Sequence, residues 1–79
     1  MNSKEVFDAR NEIMKDFISQ RIDITKPLLL SCIANHEKLC TRGKMSNRNK
    51  KLLNEAIIVI WNETFETNIT SRDIMANVS

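Results

Sequence analysis

The chain of 79 residues contains little that interrupts a helix and little that supports catalysis. It has one glycine, one proline, no tyrosine and one histidine. Scarce glycine and proline favour helices joined by short connections. A single histidine nearly excludes an acid–base triad, and one glycine cannot build a glycine-rich phosphate loop. We therefore expect a protein without enzymatic activity.

The sequence also lacks a long hydrophobic run. No apolar stretch approaches the roughly 18 residues that span a bilayer. The first twelve residues lack the basic-then-apolar order of a signal peptide. We therefore expect a cytoplasmic protein without membrane insertion. In a reducing cytoplasm, Cys32 and Cys40 are expected to be free thiols rather than a disulfide.

The apolar residues that are present recur at helical spacing, which predicts an all-α fold. We expect one compact helical domain over residues 1–79. Its three main helices are predicted at about 4–20, 26–41 and 47–66. A short C-terminal helix is predicted at about 71–77.

Local signals mark where these helices begin and end. Each predicted helix follows a residue that can cap its N-terminus: Ser3, Thr25, Ser46 and Thr70. Asp73 lies three residues after Thr70, as in a capping box. Gly43 can adopt the left-handed conformation that ends helices, so we expect the second helix to stop near Thr41.

Apolar residues are grouped in the first helix and in the tail. Six residues of the first helix predict one apolar stripe: Val6, Phe7, Ile13, Met14, Phe17 and Ile18. In the tail, two arrangements are open: Ile74, Met75 and Val78 pack back on the other helices, or the short helix lies loosely.

Residues 56–61, with the sequence AIIVIW, raise the question of what covers them. Ile and Val favour strands, but the helical pattern continues on both sides of the run. A helix that is apolar all round must be covered on both flanks, which two short helices can hardly do. We therefore predict a homodimer with the third helix near its centre. The predicted interface residues are Ile57, Ile58, Ile60 and Trp61.

Cys32, His36 and Cys40 are the only cluster of soft metal ligands. The two cysteines lie about 12 Å apart along a helix. Zinc bonds of about 2.0–2.3 Å cannot bridge that span. We expect no metal and no cofactor. His36 can titrate near neutral pH, which leaves a pH-sensing role open.

The strongest functional signal is a run of positive charge. Residues 38–51 carry six basic side chains and no acidic one. We call this set the basic collar: Lys38, Arg42, Lys44, Arg48, Lys50 and Lys51. It surrounds a predicted helix N-terminus, whose free N–H groups attract anions. The alternatives are an ordinary solvated connection, contact with the phosphates of duplex DNA, or contact with an acidic protein.

The middle of the chain carries a lysine before a Leu/Ile-rich helix, a glutamate near that helix's end, and an aliphatic third helix. These residues are Lys26, Leu28, Leu29, Leu30, Ser31, Ile33, Glu37, Leu53, Ala56, Ile57, Ile58 and Ile60. Over residues 5–61 the chain resembles the YmgB/AriR family of small enterobacterial regulators, also described as two-component-system connector proteins. The resemblance implies a compact, all-helical homodimer without enzymatic activity. Such a protein would act in biofilm, acid-stress or envelope-signalling regulation through protein partners or DNA.

Two functions are compatible with these features. The first is a small regulatory protein that binds itself and a signalling or transcription protein. The alternative is a small DNA-associated protein that uses the basic collar for phosphate contacts.

Overall fold

The computed structural model describes residues 2–76, which form four α-helices. Helix α1 spans Ser3–Ser19, α2 spans Lys26–Thr41, α3 spans Asn47–Phe65 and α4 spans Ser71–Met75. The described residues contain no strand, so residues 56–61 are helical. The prediction of an all-α fold with three main helices and a short fourth is confirmed. No helix within residues 2–76 is both long and apolar enough to cross a bilayer.

Helix α3 is the central helix, and each of the other three packs against it. Its apolar segment is buried inside the single chain, with Ile57 and Ile60 each 1% exposed and Ile58 5% exposed. The residues that complete this core from the other helices are Phe17, Leu29, Ile33 and Ile74. Three helices therefore supply the cover that α3 needs.

Three of the four predicted dimer-interface residues are already buried within a single chain. Ile57, Ile58 and Ile60 contact helices of their own chain and have no exposed face to offer a second copy. The prediction assumed that only two helices cover α3. It did not include α4, whose Ile74 is 1% exposed. Trp61 is half-buried and also engaged within the chain. Its ring lies 5.5 Å from that of Phe65 in an edge-to-face contact.

The residues that begin the helices follow the predicted chemistry, with one correction. Asn2 rather than Ser3 caps α1, because Asn2 Oδ1 accepts a hydrogen bond of 2.9 Å from the Glu5 N–H. The side chains of Thr25, Ser46 and Thr70 cap the other helices as predicted. The predicted capping box of α4 is also present. The predicted extension of α4 to Asn77 and the predicted packing of Val78 lie outside the described residues.

Helix α2 ends at Thr41, and a left-handed Gly43 closes it as predicted. Gly43 has φ +73°, and the Lys44 N–H donates back to the Leu39 carbonyl at 2.8 Å. Helix α1 ends with the same motif, but Arg21 occupies the left-handed position with φ +55°. A residue with a Cβ is strained in this conformation.

The side chain of Asn62 holds the connection between α3 and α4. Its Nδ2 donates to the Ile69 carbonyl at 3.1 Å, and its Oδ1 accepts from the Ile69 N–H at 2.9 Å. The Thr67 hydroxyl donates to the same Oδ1 at 2.9 Å. These bonds place Ile69 and the start of α4 so that Ile74 reaches the core.

Replacing Gly43 with alanine tests the backbone requirement at the end of α2. A Cβ at this position meets no atom of the surrounding structure within 4 Å, so the substitution causes no clash with other parts of the chain. The left-handed conformation alone should lower the free energy of unfolding by about 1–2 kcal/mol. Urea denaturation measures this change, and an unchanged midpoint would contradict it.

Replacing Arg21 with glycine is the matched control and should have the opposite effect. Glycine relieves the strain of φ +55° but gains freedom in the unfolded chain. We expect a net gain of roughly 0.5–1 kcal/mol in the free energy of unfolding. The same urea experiment measures it. A loss of stability in Arg21→Gly would show that the guanidinium has a structural role.

Candidate basic and apolar surfaces

The basic collar extends from the second half of α2, across the connection, to the first turns of α3. Two of its six cations are neutralised by the chain itself. Lys50 Nζ donates to Glu37 Oε2 at 2.9 Å, and this hydrogen bond raises the pKa of Lys50. Arg48 Nη2 donates to Glu5 Oε2 at 3.3 Å. The collar is therefore a weaker anion attractor than its sequence suggests.

The other four cations of the collar remain available. They are exposed, and their side chains form no ion pair within the part of the chain that the structure describes: Lys38, Arg42, Lys44 and Lys51. No sequence pattern predicted which acidic residues pair with the two neutralised cations. Glu5 lies 43 residues before Arg48, and Glu37 lies 13 residues before Lys50.

An apolar hollow adjoins the collar between α3 and α4. We call it the α3–α4 hollow; it has a volume of about 310 Å³. Its lining consists of Lys50, Lys51, Asn54, Glu55, Ser71, Ile74 and Met75. Met75 is 38% exposed, so an apolar side chain lies at the surface beside Lys51, which forms no ion pair within residues 2–76. Of the two arrangements left open for the tail, α4 packs back through Ile74, while Met75 stays partly exposed.

A second groove of about 410 Å³ lies between α1 and α3 and shares Glu55 with the hollow. Phe7 lines it and is 54% exposed, while Ile18 farther along α1 is 69% exposed. The predicted apolar stripe of α1 was therefore too broad. Ile13 and Phe17 of helix α1 face α3. Phe7 and Ile18 lie about 100° away from them around the helix and are therefore outside that contact.

A polar contact inside the fold joins α2 to α3. Asn54 is the one buried polar residue among those described, and its Oδ1 lies 2.8 Å from His36 Nδ1. Because an amide oxygen only accepts, this contact places the hydrogen on Nδ1 of His36. Asn54 was missed from the sequence. Asn54 lies three and four residues before Ile57 and Ile58, and this spacing places it on the same face of the helix. That spacing could have predicted its burial.

The two cysteines are free thiols in different surroundings. Cys32 lines a cavity of about 230 Å³ with His36, and burial raises the pKa of the Cys32 thiol. The Cys40 thiol donates to the Ser46 carbonyl at 3.5 Å. Within residues 2–76, no three His, Cys, Asp or Glu side chains are grouped as a metal site would require.

Comparisons of this chain with protein-family models, with curated proteins and with solved structures find no match. The resemblance of residues 5–61 to the YmgB/AriR family therefore stays a prediction. The surfaces described above are the basis for inferring a function.

The raised pKa of Cys32 predicts slow modification of this thiol. Thiolate is the reactive form, and a raised pKa lowers its fraction at pH 8. A Cys40→Ser variant, which retains Cys32, should react with a thiol reagent more slowly when folded than when unfolded in urea. The difference between the folded and unfolded reaction rates should become smaller as the pH rises past the ordinary thiol pKa. Equal rates at pH 8 would contradict the effect of burial.

Proposed function

We propose that this chain is a small, non-enzymatic regulatory protein that acts by binding another protein. The observation that carries the proposal is the α3–α4 hollow beside the basic collar. It combines an apolar floor at Ile74 and Met75 with the exposed cation of Lys51. Protein interfaces combine an apolar centre with a polar rim in this way.

The chemistry of this surface also suggests the kind of partner. A segment that presents an apolar side chain with a neighbouring carboxylate would satisfy both parts of the surface. Met75 suits the apolar contact, because its flexible thioether adapts to different shapes. Regulation of biofilm, acid stress or envelope signalling is the biological context that the resemblance to the YmgB/AriR family adds.

Binding of duplex DNA is the second candidate. It is favoured by the four exposed cations of the collar that have no ion pair in the described residues. It is disfavoured by the neutralisation of Arg48 and Lys50, which lowers the density of free charge. The apolar side chains of the hollow would also not contribute to binding phosphates.

Capture of a partner from an extract of the native host tests the first candidate. We expect a protein that the immobilised chain retains and that Lys51→Glu or Met75→Asp releases, because each variant removes one part of the surface. Arg21→Glu makes the same charge change at the end of α1 and should retain the protein. Circular dichroism confirms that each variant is folded. Equal retention by all variants would contradict the proposed surface.

Titration of a duplex at several salt concentrations tests the second candidate. Binding through phosphates would make the log–log salt slope shallower by about 0.9 for each contact that is removed. Replacing Arg42 and Lys44 with alanine should then flatten the slope by about 2. Lys50→Ala should change it less, because Glu37 already neutralises Lys50. Absence of binding at low salt excludes this function.

A further inference from the structure

The most exposed large apolar side chains lie on one side of α1. Ile18 is 69% exposed and Phe7 is 54% exposed. They are eleven residues apart, which is about three helical turns and roughly 16 Å along the axis. The two side chains therefore point the same way from opposite ends of the helix.

Two further residues complete a line between them. Asn11 is exposed, and Met14 is half-buried at the edge of the core. The steps from Phe7 to Asn11, Met14 and Ile18 are four, three and four residues. This is the alternating spacing of a seam between two packed helices. We call these four residues the α1 seam.

The seam is complementary to itself when one copy is reversed. Reversal about its midpoint exchanges Phe7 with Ile18 and Asn11 with Met14. A two-fold axis through that midpoint would therefore set Phe7 of each copy against Ile18 of the other. Contacts between identical surfaces related by a two-fold axis are the commonest kind in homo-oligomers.

The charges along the solvent-side edge of the seam suit the same antiparallel arrangement. Asp8 and Lys15 both flank the seam on the solvent side, and both are exposed. In the reversed arrangement Asp8 of one copy lies two residues, about 3 Å along the axis, from the level of Lys15 of the other, close enough for an ion pair, twice in each pair. Within the chain, Asp8 has only an exposed contact of 3.3 Å with Lys4, and Lys15 has no ion pair among the described residues.

The other edge of the seam does not oppose this contact. Arg10 is held by Glu63 at 2.8 Å and lies 5.9 Å from the centre of the Phe7 ring. It also donates to the Asn11 amide oxygen at 2.9 Å. Asn11 faces Met14 of the other copy in this arrangement, and a polar residue in a helix seam lowers the stability of the contact.

We propose that two copies of this chain associate through antiparallel contact of their α1 helices along the α1 seam. This contact uses a different surface from the α3–α4 hollow and does not depend on the proposed function. One pair of short helices buries less than the roughly 1,600 Å² of a standard interface. The association is therefore weak and depends on concentration.

Sedimentation equilibrium of the full chain up to about 1 mM measures the association. The wild type should shift from monomer to dimer within that range. Ile18→Glu should remain monomeric, and it should stay folded because Ile18 lies outside the core. A wild type that stays monomeric throughout, as it would if the seam served a different partner, overturns the proposal. So does an Ile18→Glu variant that dimerises normally.

Charge reversal tests the antiparallel register. Asp8→Lys and Lys15→Asp should each be monomeric, because like charges then meet across the seam. An equal mixture of these two variants should dimerise, and so should the variant that carries both changes. Asp16→Lys makes the same charge change on the side of α1 opposite the seam and should not affect dimerisation. Folded single variants that fail to associate on mixing overturn the proposal.

Discussion

The burial of α3 determines where the other three helices lie. Its apolar segment faces every direction, so no single neighbour can remove it from water. Helix α1 covers one flank with Phe17, α2 covers another with Leu29 and Ile33, and α4 closes the remainder with Ile74. A chain of this size has a small margin of stability. The short α4 is therefore part of the core and not an accessory.

Packing around one helix also determines which charges and apolar groups remain free. Docking of α1 brings Glu5 to Arg48, and docking of α2 brings Glu37 to Lys50, so the fold neutralises part of its own basic collar. Exposed ion pairs of this kind contribute little to stability, because solvent screens them. Their larger effect is on recognition, because they leave a mixed surface of cations and apolar side chains.

Local chemistry made much of the fold predictable, whereas contacts between distant residues could not be predicted. Caps such as Ser46, the stop at Gly43 and the helical period of α3 all lie within a few residues of the feature they specify. The pairing of Arg48 with Glu5 depends on the angle between two helices, which no sequence pattern encodes. The same angle decides that Phe17 is buried while Ile18, its neighbour, is exposed.

The separation of contacts along the chain has a consequence for the order of folding. Residues 42–46 alone connect α2 to α3, so these helices can pair by closing a short loop. Helix α1 reaches α3 only across the whole of α2, as the 53-residue separation of Arg10 and Glu63 shows. Closing a longer loop costs more entropy. We therefore expect α2 and α3 to form the folding nucleus, and α1 to dock last and detach first.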